Sequence, residues 1–209
     1  MSVLNKTAYF LGRRDETPNQ ELARDLASSE DQVGIREIAE NLWNREPNIC
    51  SDCLKVLYEI GYLKPELVAP YAGDFRKLLG SRNNRLVWGG MIALSTIAGI
   101  AADQIYPHVA ELQRVMESGT IITIDAGVLA LSRLAATNDE RRTALLPYLL
   151  NFLRNCRPAD VSRHAERVFM AVTASSKDEF ITVLQGRMKL MTSAQATRLK
   201  KVIRQAEAG

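Results

Sequence analysis

The sequence has 209 residues, of which 46% are hydrophobic and 24% are charged. This composition suffices for a sizeable apolar core and excludes disorder as the main state of the chain. Residues 1–104 carry 12 basic and 14 acidic side chains, and residues 105–209 carry 15 and 10. The resulting net charge of +3 is too small to indicate a nucleic-acid or membrane partner by itself.

The three cysteines, Cys50, Cys53 and Cys156, are too few for a disulfide framework and favour a reducing compartment. The first residues do not have the pattern of a secretory signal peptide. The most apolar segment, 89–102, is shorter than the roughly 20 residues that span a bilayer. We therefore expect a cytoplasmic protein without a membrane partner.

Apolar residues recur at helical spacing along the chain, and no segment alternates with period two. Start signals include Thr192 three residues before Gln195, and stop signals include Gly61. In chain order, the pattern predicts helices over 18–28, 30–43, 47–61, 65–80, 84–99, 103–118, 121–136, 139–155, 160–175, 178–191 and 193–207.

An internal repeat organises the middle of these helices. The segments VLYEIGY (56–62), ALSTIAG (93–99) and ALSRLAA (130–136) follow one another at offsets of 37 residues, and a weaker copy starts at Val168. A second series keeps Pro70, Pro107 and Pro147 in register. Short loops make successive helices antiparallel neighbours, and a helix pair buries its apolar faces only by stacking on further pairs.

Three glycines interrupt the second helix of the repeat. Gly89, Gly90 and Gly127 lie inside predicted helices, where each costs about 1 kcal/mol relative to alanine. Close packing of neighbouring helices offsets this cost in our preferred interpretation, and close approach of a ligand is the alternative.

The repeat resembles the HEAT-like class. The pairs Ala93-Leu94 and Ala130-Leu131 match its second helix, whereas Val87 and Ile124 stand where the class commonly has arginine. The resemblance implies an all-α fold, a right-handed α-α superhelix of stacked antiparallel helix pairs. It predicts a single domain over 1–209, with clear repeats over about 44–192 and helical caps at both ends. It also implies that the second helices line a concave face.

Neither a metal centre nor a catalytic set stands out in the sequence. Cys50-x-x-Cys53 aligns with apolar or small positions of the other repeats, and no second pair completes a zinc site. The two histidines, His108 and His164, lie in different repeats without partners at metal-ligand spacing. We expect no metal, no cofactor and no catalytic residues, and favour a protein that is not an enzyme.

One repeat position offers a candidate binding surface. Ser51, Trp88 and Asp125 occupy the same position in successive copies, so stacking is expected to set them side by side. The predicted concave face comprises Lys55, Tyr58, Arg85, Trp88, Asp125 and Arg133. The alternative is structural, since a tryptophan at a helix start often packs on the preceding turn and an aspartate there complements the helix dipole.

These features favour a non-catalytic binding module or scaffold that holds a protein or peptide partner. The alternative is a nucleic-acid-binding protein. An aromatic side chain and a carboxylate on a helical surface resemble the site of HEAT-like DNA alkylation-repair glycosylases, which would give Trp88 and Asp125 that role. The basic last helix, with Arg198, Lys200 and Arg204, fits either a solenoid cap or an anion-binding patch.

Overall fold

The computed structural model describes residues 2–208, and every regular element among them is helical. The α-helices are α1 (Thr17–Ser29), α2 (Gln32–Glu40), α3 (Pro47–Leu63), α4 (Ala72–Leu78), α5 (Asn84–Ile97), α6 (Ala102–Ile105), α7 (Val109–Glu117), α8 (Ile121–Ala135), α9 (Asp139–Asn155), α10 (Val161–Val168), α11 (Lys177–Met188) and α12 (Ser193–Ala208). The all-α prediction is confirmed.

The helices that were predicted to carry prolines are partly broken. Pro70 lies in a 3₁₀ turn, Ala69–Tyr71, that precedes α4, and Pro107 lies in another, Tyr106–His108, between α6 and α7. Proline lacks an N–H donor and its ring clashes with the carbonyl four residues earlier, so the chain changes helix type at these points. Pro147, in contrast, lies inside the continuous helix α9.

The helix predicted over 160–175 is also shorter than expected. Its α-helical part ends at Val168, and a 3₁₀ turn completes it at Ala171. Beyond this point the Ser176 hydroxyl accepts a hydrogen bond from the Thr173 N–H at 3.0 Å. Such side-chain bonds compete with helix hydrogen bonds and start a turn instead.

The chain forms two compact units, one ending at Gly127 and the other beginning at Val128, so that the boundary falls within α8. The prediction of a single domain over 1–209 stays a prediction. Within residues 2–208, no helix is both long enough and apolar enough to cross a membrane.

In the first unit, α3 packs against α1 and α5, and α5 also packs on α4. Glycines in α5 allow this helix to lie close to α3 and α4. A Cβ added to Gly89 would lie 2.5 Å from Leu54 Cδ2, and one added to Gly90 would lie 2.9 Å from the Phe75 carbonyl oxygen. Close helix packing therefore accounts for these two glycines.

Gly127 and Gly61 follow the same rule. A Cβ on Gly127 would lie 2.3 Å from Met116 Cγ, so this glycine lets α8 approach the end of α7. Gly61 was predicted to end its helix, but α3 continues to Leu63. The prediction was wrong because Gly61 is required for packing: a Cβ there would lie 2.2 Å from Thr96 Oγ1 of α5.

In the second unit, α12 packs on α10 and α11, and α11 packs on α9. The apolar side of α12 is buried, including Leu199 and Val202. A reciprocal capping box precedes α12: the Thr192 N–H donates to Gln195 Oε1 at 3.0 Å, and the Gln195 N–H donates to Thr192 Oγ1 at 3.4 Å. This confirms the start signal that was predicted from the sequence.

An arginine side chain caps the C-terminal end of α9. The guanidinium of Arg187, on α11, donates from Nη1 to the carbonyl oxygen of Arg154 and from Nη2 to that of Cys156. These carbonyl groups lie at the end of α9, where helical N–H partners run out. One side chain thus satisfies two orphan acceptors and ties α11 to α9.

Candidate functional site

A cavity of about 390 Å³ in the first unit gathers four of the six predicted binding residues, namely Lys55, Tyr58, Arg85 and Trp88. Three parts of the chain form it: the segment that precedes α1 together with the start of α1, one side of α3, and the first turns of α5. Ser51 and Trp88, which share a repeat position, both line it.

The α3 wall is built by residues about one turn apart. Asp52, Lys55 and Tyr58 recur at a spacing of three and therefore lie on one side of the helix. Lys55 Nζ is 2.8 Å from a Glu16 carboxylate oxygen and 2.7 Å from one of Glu59, and its side chain is only 11% exposed. The same ammonium lies 4.9 Å from the centre of the Tyr58 ring.

These contacts fix the protonation states of the wall. Burial acts to lower the pKa of Lys55, but hydrogen bonds with Glu16, Glu59 and Tyr58 outweigh it, so that the pKa is raised. Burial raises the pKa of Tyr58 to about 12, against the opposing effect of Lys55. At neutral pH the lysine is therefore charged and the phenol is neutral.

The segment before α1 forms a wall that the sequence did not reveal. The Tyr9 N–H donates to Asp52 Oδ2 at 2.7 Å, and the amide of Asn19 donates to Asp52 Oδ1 at 2.9 Å. Asn19 is itself buried and accepts from the Ala8 N–H at 2.9 Å. Asp52 of α3 thus holds the segment and the start of α1 together, and the Glu16–Lys55 ion pair adds a second attachment.

The α5 wall begins with a helix cap. The side chain of Asn83 accepts a hydrogen bond from the Arg85 N–H at 3.0 Å, which starts the helix at this point. Arg85 is exposed and Trp88 is half-buried, and they lie one turn apart on the same side. Because Gly89 allows α5 to lie close to Leu54, the indole of Trp88 is brought to the cavity formed with α3.

The cations of the cavity differ in availability. Lys55 is held by two carboxylates, and Arg13 Nη2 pairs with Asp15 at 2.8 Å. Arg14 and Arg85 make no ion pair with any other residue in 2–208, and both are exposed. The arrangement can therefore bind an anionic group and an apolar or aromatic group in one place.

Asp125 and Arg133 lie elsewhere. Neither is among the described residues that line the cavity. Both are half-buried: Asp125 belongs to the part of α8 in the first unit and Arg133 to the part in the second. Their assignment to a binding face stays a prediction.

Cys50 and Cys53 are core residues, as predicted, whereas Cys156 is half-buried. Cys53 is fully buried, and the thiol of the buried Cys50 donates to the Asn44 carbonyl oxygen at 3.0 Å. Burial raises the pKa of the Cys53 thiol to about 12 and also raises that of Cys50. Across residues 2–208, no group of three or more His, Cys, Asp or Glu side chains could hold a metal ion.

The two histidines are not part of the candidate site. His164 is buried in an edge-to-face contact with Phe152, with ring centres 5.2 Å apart, and His108 is half-buried at a 3₁₀ turn. Neither lines the cavity described above.

No protein-family model matches the chain, and no curated protein is similar to it in sequence. Solved structures are similar in fold. An engineered protein, target OR329 of a structural genomics consortium, has a TM-score of 0.69 at 17% identity and covers 100% of this chain and 98% of its own. A designed armadillo repeat protein in complex with the peptide (KR)4 has a TM-score of 0.62 at 14% identity, over 96% of this chain and 98% of its own.

Kap121p is also similar, with a TM-score of 0.61 at 15% identity over 96% of this chain and 22% of its own length. At these identities the likeness concerns the fold alone. It confirms the predicted helical-repeat resemblance: the chain has the all-α solenoid fold that armadillo and HEAT-like repeats share.

Proposed function

We propose that the protein is a non-catalytic binding scaffold that holds a segment of a protein or peptide partner, anchored in the cavity of the first unit. One observation carries the proposal: the half-exposed Trp88 and the unpaired guanidinium groups of Arg14 and Arg85 share a concave site. Tryptophan and arginine are the residue types that most often dominate binding energy at protein interfaces.

The protonation states of the cavity suit binding better than proton transfer. A general acid or base works best with a pKa near the operating pH. Lys55 and Tyr58 instead have pKa values raised far above neutrality, and the carboxylates of Asp15 and Glu16 are engaged in ion pairs. The fixed wall is therefore preorganised to hold a ligand without changing its own charge.

The fold gives further support. Structures of similar fold include computationally designed armadillo repeat proteins for modular peptide recognition, and a designed armadillo repeat protein in complex with a peptide. Solenoids present extended surfaces to their partners. The solenoid fold therefore supports the proposal of a binding scaffold.

The test is selection of peptides from a randomised displayed library on the purified protein, followed by calorimetry with the selected sequences. Trp88→Ala is expected to weaken binding by at least about tenfold, as for a buried aromatic anchor. Trp43→Ala is the matched control, because Trp43 is 53% exposed and does not line the cavity. Equal effects of the two substitutions, or failure of every selection, would contradict the proposal.

Nucleic-acid binding is a second candidate, supported by the charge of the second unit. From Val128 onward the chain carries 14 basic and 7 acidic side chains. The glycosylase version has less support, since the lining that contains Trp88 does not include Asp125. Duplex DNA binding that weakens steeply with salt would favour this candidate, and absence of binding at low salt would dismiss it.

A further inference from the structure

All the carboxylates that line the cavity have a hydrogen-bond or ion-pair partner, whereas two of its cations have none within residues 2–208. Asp15 is paired with Arg13 and Glu16 with Lys55. Asp52 accepts two hydrogen bonds, from the Tyr9 N–H and the Asn19 amide. Every carboxylate of the lining therefore already has a donor.

Of the cations that line the cavity, only Arg13 and Lys55 are in ion pairs with residues that the structure describes. Arg14 and Arg85 carry guanidinium groups that pair with no other residue of the described chain. A free guanidinium is preorganised for two parallel hydrogen bonds to one carboxylate or phosphate group. The unsatisfied charge of the cavity is thus positive, and the partner must supply the negative charge.

The two guanidinium groups also come from different parts of the cavity. Arg14 belongs to the segment before α1, and Arg85 belongs to the first turn of α5. Helix α3 packs against both α1 and α5, and the cavity lining takes Arg14 from the segment next to α1 and Arg85 from α5. Spaced carboxylates on an extended segment fit this arrangement better than one compact dianion does.

On these grounds, and resting on the proposed function, we infer that the cavity selects an acidic peptide segment, whose carboxylates pair with Arg14 and Arg85 and whose apolar or aromatic residue packs on Trp88. The preference is opposite in charge to that of the designed armadillo protein that binds the peptide (KR)4. The locked ion pairs of Lys55 keep the wall rigid and leave recognition to the two arginines.

The test uses the full chain and a randomised displayed peptide library. Sequences selected on the wild-type protein are expected to be enriched in Asp and Glu next to an apolar or aromatic residue. Selection on the double variant Arg14→Glu/Arg85→Glu is expected to shift the enrichment to Lys and Arg. Enrichment without an acidic preference, or an acidic preference that survives the charge reversal, overturns the inference.

Affinities of the selected acidic peptides provide the quantitative arm. Arg85→Glu is expected to weaken them by about tenfold or more, because it replaces an attractive contact by a repulsive one. Arg82→Glu makes the same change of charge at an exposed arginine that precedes α5 and does not line the cavity. Equal losses in both variants would attribute the effect to net charge and contradict the inference.

The outcomes separate the inference from the proposed function. Peptides that bind through Trp88 without a charge preference would leave the scaffold proposal standing and refute the acidic specificity. A library from which nothing is enriched would contradict both. Phosphorylated peptides that bind while carboxylate peptides do not would also refute the inference, because a compact dianion would then be the recognised group.

Discussion

Replacing Gly90 by alanine is predicted to destabilise the first unit, although alanine is the better helix former. Inside a helix the change gains about 1 kcal/mol of propensity. The new Cβ, however, would lie 2.9 Å from the Phe75 carbonyl oxygen and 3.1 Å from Leu78 Cβ. Both are atoms of α4 at or next to the backbone, so they cannot yield as the end of a flexible side chain can.

Overpacking of this kind costs about 1 to 3 kcal/mol. With two rigid contacts we take the upper part of that range, so the free energy of unfolding should fall by about 1 to 2 kcal/mol. Gly73→Ala is the matched control in the same unit, because nothing lies within 4 Å of a Cβ at that helical position. It should raise the free energy of unfolding by about 0.4 to 1 kcal/mol.

Urea unfolding followed by tryptophan fluorescence reports on the correct unit, because Trp43 and Trp88 both precede Gly127. The two substitutions should move the unfolding midpoint in opposite directions. A Gly90→Ala protein as stable as the wild type would refute the idea that Gly90 is required for the close contact between α4 and α5.

Further predictions concern buried groups. The pKa of Tyr58 is about 12 in the folded protein and near 10 in the unfolded chain, so the free energy of unfolding should fall between pH 10 and 12, by up to about 1.4 kcal/mol per pH unit. Urea unfolding of Tyr58→Phe should show a flatter decline, and a pH profile unchanged by the substitution would contradict the prediction. In a Cys156→Ser background, which removes the half-buried third thiol, Cys50 and Cys53 should react with a thiol reagent only after denaturation. Rapid labelling of this variant in its native state would contradict their burial. Chelators should leave the thermal midpoint unchanged. Arg187→Lys should lower the free energy of unfolding by about 1 to 3 kcal/mol, because lysine cannot reproduce the forked contact with two carbonyl groups. The control Lys189→Arg, at an exposed position nearby, should leave the free energy of unfolding unchanged.

The sequence predicted the helices of the repeat well because their signal is periodic. Helices α3, α5 and α8 begin at residues 47, 84 and 121, as the 37-residue offset predicted. Glycines gave a mixed result. Gly89 and Gly90 were correctly read as close-packing positions, whereas Gly61 is a third such position and not a helix end. The sequence alone does not distinguish a glycine that is required by a neighbouring helix from one that is required by a turn.

The candidate site was predicted only in part. Lys55, Tyr58, Arg85 and Trp88 were found because repeat register places them on adjacent helices. The wall before α1 was missed because it has no helical period and depends on long-range hydrogen bonds to Asp52. A weak signal was available, since an asparagine at position 19 on the apolar side of a helix requires a buried partner.

The most direct test of the cavity is a fluorescence titration of the Trp43→Phe variant, in which Trp88 is the one remaining tryptophan. Addition of a selected acidic peptide should change the Trp88 emission saturably, with the same Kd that calorimetry gives. Introducing Arg85→Glu into this background should raise that Kd by about tenfold. A peptide that binds by calorimetry while the Trp88 emission stays constant would show that the segment is held elsewhere and would contradict the account.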